Sequence, residues 1–468
     1  MPFRLRTIGQ QRKLCDEIDF SAVLRVAPRA AVRRALSSAG VGEQRTKRLP
    51  LQAAVFLLLA ICLYSELSIE HVLKRVARPL RFVWPDPAQQ MVRDSAFSYR
   101  RYQIGARPLA ALFHDVARPL ATDATTGALR FGLRLVAIDG TIEDVPNTAD
   151  NERAFGRLAS QRGSAAYAQV RCVYLVECAT HAIFDAGFWP CATSEWTGAW
   201  RLLRSVTQGM LLLLDRLLYA YDYVRAIRAR GAHVLVRLKS DIRVEPVKVL
   251  GDGSLLARIR PPLIDAERRR RRRAGEHVLV RVVTYRYEDP QHPGKQITAR
   301  LLTTLLDEQQ APALELVLCY HERWEIEMTI DELDTHQRLA GRPLRSKRPV
   351  GVIQELYALL IAHYAVRAIM CEAAEREGID PRRVSFVGTL RILQTALYEF
   401  LIVSRRQRGE LYARLLTEIA EERLPPQRAL RSNPRVVRRK MSKFKLKRSQ
   451  HTAWPQPKLP FRERVALI

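Results

Sequence analysis

The sequence predicts an α/β protein built on a mixed sheet, with a helical segment before it, a β-rich insertion within it and a helical, basic region after it. Three observations carry this. Apolar residues at helical spacing give way near residue 130 to short aliphatic and β-branched runs. Those runs come as three in succession and then alternate with helical segments. From Asp241 to about Leu314 the texture becomes β-rich and turn-rich, before long helices return. At roughly 100–200 residues per domain, a chain of 468 residues allows about two to four folding units.

Residues 1–125 read as a helical domain. Apolar positions recur every three or four residues through Phe20–Leu36, Leu49–Tyr64 and Ile69–Leu80, with breakers at Gly40-Val41-Gly42 and Trp84-Pro85-Asp86-Pro87. Two shorter amphipathic stretches follow, Ser95–Gly105 and Pro108–Leu120. With Arg33, Arg34, Arg45, Lys47, Arg48, Arg100 and Arg101, such helices can form a DNA-binding module or a bundle with a solvated basic face. The most apolar run, Leu51–Tyr64, is shorter than the roughly 20 residues that span a membrane, so it predicts a buried core helix. The basic amino terminus lacks the apolar region and cleavage site of a signal peptide.

Residues 126–240 are the first part of the α/β core. Strands are expected at Leu133–Ile138, Val170–Val176, Ala182–Phe188, Met210–Leu214 and His233–Leu238, with helices near Glu195–Gln208 and Tyr219–Arg230. Residues 241–314 are the insertion, with turns at Gly251-Asp252-Gly253 and Pro290–Gly294, a strand at Val278–Tyr287 and an unbroken run of arginines, Arg268–Arg273. Residues 315–378 return to the core, with helices predicted over Ala313–His336 and Pro349–Glu377. Residues 379–468 form a helical region and a tail; the stretch 423–448 holds eleven Lys or Arg and no acid.

The formal net charge is 77 − 48 = +29, which disfavours an acidic-surface metabolic enzyme and favours a polyanionic partner. Hydrophobic residues make up 47% of the chain, enough for a real core. The seven cysteines form no CxxC pair, so neither structural zinc nor a disulfide framework is expected, in keeping with a reducing cytosol.

Three acids stand out. Asp139 in AIDGT and Asp215 after MLLLL each follow an apolar run, placing a carboxylate at the end of a predicted strand. A carboxylate there needs a cation or hydrogen-bond donors to offset its desolvation. Singly, each reads more readily as a strand-end acid capping a turn, and it is the presence of two in one small sheet that tells against that reading. The third is Glu327 in YHERWEIEMTIDELDTHQ, where Tyr320, Arg323, Glu327 and Asp334 fall at i, i+3, i+7 and i+14 on one helical face. An ordinary helix with an internal Arg323–Glu327 pair is the plain alternative. Glu322, Glu325 and Glu332 point elsewhere and are expected to be solvated, Trp324 to be core, and Glu143 and Asp144 to lie at the surface. His181, His233 and His363 have no paired ligand spacing and are expected to be satisfied core or surface residues. Three converging carboxylates suit a hard dication. Two Mg²⁺ ions about 4 Å apart can activate a nucleophile and stabilise the leaving oxygen at phosphorus.

With these residues the chain resembles transposases of the insertion sequence four family, of the DDE type. The resemblance covers nearly the whole chain. It rests on AIDGTIEDVPNTADNERAFGR (137–157), LLLLDRLLYAYD (211–222), YHERWEIEMTIDELDTHQ (320–337), LRSKRP (344–349) and SNPRVVRRKMSKF (432–444). It implies a ribonuclease-H-like catalytic domain, with Asp139, Asp215 and Glu327 as metal-binding catalytic acids and Mg²⁺, or Mn²⁺ in its place, as cofactor. It further implies that Tyr320 and Arg323 contact DNA phosphate, that the amino-terminal domain recognises terminal inverted repeats, and that the insertion lies near the transposon end. The run with Arg268 and Arg271 is therefore expected to track the DNA backbone, a solvated loop being the alternative. The resemblance also implies cut-and-paste movement through a hairpin intermediate, in a synaptic homodimer on double-stranded transposon-end and target DNA, in the bacterial cytoplasm at the nucleoid and without a membrane.

One position departs from the family. Seven residues after Glu327 the signature carries Lys, and here it is Asp334. Losing one charge-assisted phosphate contact costs roughly 1.5–3 kcal/mol, and Arg338 or Lys347 is placed to compensate. Asp334 therefore suggests reduced activity. A decayed copy acting as a DNA-binding repressor, and a structure-specific nuclease on the same fold, are the alternative functions.

Overall fold

The computed structural model describes residues 26–43, 49–77, 80, 84, 93–160, 163–288, 295–338, 341–396, 399–425 and 461–468. Arg45, Lys47, Arg48, the Pro85-Asp86-Pro87 breaker, the Pro290–Gly294 turn, the 432–444 motif and most of the basic stretch 423–448 lie outside the described residues. The chain divides into two compact units, residues 1–118 with 331–423, and residues 119–330 with 424–468.

The second unit is organised by one long sheet. Its strands are β1 (Leu133–Val145), β2 (Ala168–Glu177), β3 (Ala182–Pro190), β4 (Met210–Leu214), β5 (His233–Leu238), β6 (Glu245–Val249), β7 (Leu255–Ile259), β8 (Val278–Glu288) and β9 (Gln296–Thr303). They lie in the order β3-β2-β1-β4-β5-β9-β8-β7-β6. β1, β4 and β5 run parallel, while β2 is antiparallel to both of its neighbours. This five-stranded order is ribonuclease-H-like. Leu211–Leu214 of β4 are fully buried, as expected of a central parallel strand covered on both faces. The β-rich insertion extends the same sheet, because β9 pairs antiparallel with β5 from Arg300↔Leu238 to Thr303↔Leu235.

Four helices of this unit matter below: α1 (Glu195–Leu202), α2 (Ala266–Arg273), α3 (Ala313–His321) and α4 (Trp324–Asp331). The predicted continuous helix 313–336 is broken. Glu322 and Arg323 form a turn between α3 and α4, and a π-helix takes over at Glu332–Gln337. The last described residues, 461–468, join this unit. Ala466 and Leu467 pair with β8, and Phe461 packs on His321 with ring centroids 3.8 Å apart.

The first unit is helical. Arg29–Ser38 packs on Arg107–Val116, and the long helix Pro349–Arg376 packs on Leu51–Leu63 and Arg107–Val116. Leu51–Leu63 is a core helix, as expected. Pro349–Arg376 is long and apolar enough to cross a membrane, but 83% of its apolar window is buried within the protein, the mark of a core helix. Two arginines expected on a basic face are structural instead. Arg100 is buried against Glu43 and donates to the Leu49 carbonyl at 2.6 Å, and Arg101 donates to Ser346 Oγ and the Gly351 carbonyl. Glu332, expected to be solvated, is also buried. Arg367 Nε donates to it at 2.8 Å, and His363 Nε2 lies 3.1 Å away.

Candidate active site

The three sequence-selected acids fall in one region of the sheet unit. β1 pairs with β4 only as far as Ala137↔Leu213, and then runs on along β2 to Val145. Asp139 is therefore inside a strand rather than at its end, but it sits just past the point where β4 drops away. Asp215 is the first residue after β4 and opens a 3₁₀ turn, Arg216–Leu218. This is the carboxyl end of parallel strands, where sheets of this kind place their ligands.

Glu327 comes from α4, and three contacts fix the approach of its segment. The Tyr320 hydroxyl donates to the Leu214 carbonyl at 3.1 Å, tying α3 to the residue before Asp215. Arg130 Nη2 donates to Glu322 at 3.2 Å, and His181 Nε2 lies 2.8 Å from Glu325. Glu322 and Glu325, expected to be solvated, are thus tethers. Trp324, expected in the core, is 45% exposed, because the turn at Glu322–Arg323 changes the face that α4 presents. Glu143 is buried rather than superficial, while Asp144 is half-buried and accepts from Gln169 Nε2 at 2.9 Å.

Arg323 links the acids. Its Nη2 donates to Glu327 Oε1 at 3.0 Å, and its Nη1 stands 3.8 Å from Asp139 Oδ2. Burial works against its charge, but Tyr320, Glu327 and Asp215 together hold it more firmly protonated than usual. The Asp139 carboxyl is raised, first by desolvation and then by Asp215, against the pull of the Gly140 amide and Arg323. Burial pushes the Tyr320 phenol up to about 12, so this hydroxyl stays a neutral donor.

A fourth carboxylate, missed in the sequence, belongs here. Glu195 is the first residue of α1, behind its N-cap Ser194, and its side chain hydrogen-bonds Asp139. Desolvation and the Asp139 charge push its carboxyl up to about 7, with Arg171 pulling the other way. An acid after a capping serine reads as ordinary helix chemistry, so only the glycine of AIDGT gave a signal. A Cβ at Gly140 would lie 2.9 Å from Glu195 Cγ and 3.1 Å from the Cys172 carbonyl.

As they stand, among the described residues no three of these carboxylates close into a single metal-ligand set. The guanidinium of Arg323 supplies the positive charge between Asp139 and Glu327. The oxygen-only donor set nevertheless has the chemistry a hard divalent cation prefers.

The remaining candidates lie elsewhere. Arg268 and Arg271 of α2 are held in ion pairs. Arg268 Nε donates to Asp222 at 2.7 Å, and Arg271 reaches Asp222 at 2.9 Å and Glu276 at 2.5 Å. The exposed members of the run are Arg269, Arg270 and Arg273. Asp334, Arg338 and Lys347 belong to the helical unit. Asp334 lies on the π-helix, 3.9 Å from Arg338 Nη1, and Lys347 is exposed.

Comparison with known proteins bears on this arrangement. Residues 17–114 match the insertion element 4 transposase N-terminal family, and residues 130–365, half of the chain, match the transposase DDE domain. Transposase InsG for insertion sequence element IS4 of Escherichia coli (strain K12) is 28% identical over 427 residues, which cover 90% of this chain and 93% of that protein. A putative transposase InsZ of the same strain is 25% identical over 149 residues, 32% of this chain and 50% of that protein. Among solved structures, the piggyBac transposase synaptic complex with hairpin DNA aligns over 88% of this chain and 85% of that one, with a TM-score of 0.41 and 12% identity.

Proposed function

We propose, from the premise that this chain belongs to the DDE transposases, that Asp139, Asp215 and Glu327 are the acids with which it cleaves and joins DNA strands. Its function is DNA transposition, acting on DNA at the ends of an insertion sequence. The observation that carries the assignment is the meeting of three elements. Asp139 lies past the end of β4, Asp215 follows β4 directly, and Arg323 joins Asp139 to Glu327.

The cofactor in this reading is Mg²⁺, or Mn²⁺ in its place, as two ions held by Asp139, Asp215 and Glu327. When bound, the ions supply Lewis-acid polarisation of the phosphodiester and activation of the attacking hydroxyl. The protein's own groups do the rest. Tyr320 keeps α3 against the Leu214 carbonyl and so fixes the distance between Asp215 and the Glu327 segment. Arg323 neutralises Asp139 and Glu327 until DNA arrives, and then exchanges carboxylate oxygens for phosphate oxygens. Asp334, where the family carries Lys, weakens the hold on DNA, and Arg338 is engaged with it rather than with phosphate. The working form is a homodimer at the nucleoid.

The test uses purified protein and a plasmid carrying the DNA that flanks its coding region, with Mg²⁺ or Mn²⁺. Wild type is expected to cut and join the ends, and Asp139→Ala to lose on the order of 10³-fold or more. Cleavage that survives Asp139→Ala overturns the assignment. In the same assay Asp334→Lys should exceed wild type by roughly 10-fold, the low end of one charged contact. A variant no faster than wild type sinks the idea that Asp334 limits activity.

A further inference from the structure

We infer that Glu195 is a fourth carboxylate of the metal centre, facing the same divalent cation as Asp139. The inference rests on the reading of Asp139, Asp215 and Glu327 as the metal-binding acids.

The argument begins with where α1 places this residue. Ser194 caps the helix by accepting from the Thr197 amide, so the first turn needs no help from a glutamate. An acid at this position ordinarily points to water and draws a little stabilisation from the helix dipole. Glu195 turns inward instead. Its side chain crosses the strand at Gly140, where a Cβ would come within 2.9 Å of its Cγ, and it reaches Asp139 at hydrogen-bonding range. The close approach requires glycine at position 140, so the sequence of β1 is fitted to the glutamate as well as to the aspartate.

Two half-buried carboxylates brought together repel unless a cation or a shared proton stands between them. The cations around them are shared with other groups. Arg323 stands 3.8 Å from Asp139 while it donates to Glu327, and Arg171 donates to the carbonyls of Cys191 and Thr193 in the segment leading into α1. A helix start that needs no glutamate, and a strand glycine that admits this one beside Asp139, are accounted for by a ligand that takes both carboxylates at once. All-oxygen donors of this charge suit a divalent metal ion.

Mn²⁺ binding to the full-length protein without DNA, followed by calorimetry and by the Mn²⁺ paramagnetic resonance signal, tests this independently of turnover. Wild type, Asp139→Asn, Glu195→Gln, Glu195→Asp and Glu267→Gln are compared, the last altering a first-turn glutamate of α2. Circular dichroism and thermal unfolding in chelator establish that each variant is folded. The expected result is at least a 10-fold loss of affinity in Asp139→Asn and Glu195→Gln, a smaller loss in Glu195→Asp, and none in Glu267→Gln. If Asp139→Asn loses affinity and both Glu195 variants keep it, the inference is overturned and the three-acid reading stands. If Asp139→Asn also keeps the wild-type affinity, or wild type binds no Mn²⁺, both fall together.

Discussion

The candidate active site and the arginine helix α2 concentrate charge in opposite ways. At the centre, acids face acids. Desolvation and then the charge of Asp215 raise the Asp139 carboxyl, and desolvation and the charges of Asp139 and Asp215 raise that of Glu195. Arg323 and Arg171 are the respective counter-charges. At α2 each inward arginine meets more acid than it needs. Arg271 lies between Asp222 and Glu276, Arg268 between Asp222 and Asp265, and the Tyr221 hydroxyl adds a hydrogen bond to Glu276. There the carboxyls are held low, Glu276 at about 2 by its hydrogen bonds from Arg271. The first arrangement leaves charge unsatisfied and therefore open to a ligand. The second satisfies charge inside the protein and joins the insertion to the helix Tyr221–Arg228 between β4 and β5. Charge that is fully answered internally holds the fold, and charge left in like-sign company is available for chemistry.

The largest contrast follows from removing one charge on each side. Arg271→Ala takes one arginine from each of Glu276 and Asp222, leaving them Tyr221 and Arg268 respectively, and should lower stability by about 1–2 kcal/mol after allowance for partial solvent exposure. Asp139→Asn, by relieving repulsion, should leave the melting temperature in chelator unchanged or raised. Thermal unfolding of the two variants beside wild type makes the comparison. Equal losses in both would mean that the acids at the centre are as well compensated as those at α2, and the distinction would collapse.

Acidity probes the same contrast with a smaller effect. Glu276 has its folded value depressed from 4.5 to about 2, so the folded state gives up this proton more readily than the unfolded chain. The stabilisation is fully present above pH 4.5 and is lost as the pH falls towards 2. The difference in stability between wild type and Arg271→Ala should therefore be constant from pH 7 to about 5 and shrink below 4.5. Denaturant midpoints measured at pH 7, 5, 4 and 3 check this. A difference that persists unchanged at pH 3 would show that Arg271 acts through packing rather than through its carboxylate partners.

How far the sequence revealed these regions depended on whether the decisive contacts were local. The strands of the core were readable because each is a short aliphatic run, and Asp139 and Asp215 were readable because a carboxylate after such a run is conspicuous. That Asp139 lies inside a strand was not, since the strand outlasts its partner β4 only in three dimensions. Glu195, signalled only by the distant Gly140, was missed for a related reason. Its partner lies 56 positions earlier, and nothing near it in the chain departs from an ordinary helix start. The arginine run was legible as a run but not in how its faces divide. A helix turns each residue about 100° from the last, so six successive arginines cannot all face one partner. The periodicity separates Arg268 and Arg271 from Arg270 and Arg273, but which face meets Asp222 depends on the fold. Likewise, Glu322 and Glu325 resembled solvated acids because Arg130 and His181, which hold them, are distant in sequence.

The smallest expected effect belongs to the outward arginines of α2, and it decides whether the helix also serves DNA. Arg270 and Arg273 are exposed and make no ion pair among the described residues, so replacing either leaves no stranded acid. Stability should therefore stay within about 0.5 kcal/mol of wild type. If these side chains lie along DNA, each neutralises about one phosphate and releases its counterion. The slope of log affinity against log salt should then fall by about 0.9 per arginine removed. Binding to an end fragment, measured from 50 to 300 mM salt for wild type, Arg270→Ala, Arg273→Ala and the double variant, reads this directly. A stepwise decline across the series, with melting temperatures unchanged, assigns the outer face of α2 to DNA and its inner face to the fold. An unchanged slope in the double variant would confine the whole run to a structural role, and the DNA-facing charge would then have to be sought outside α2.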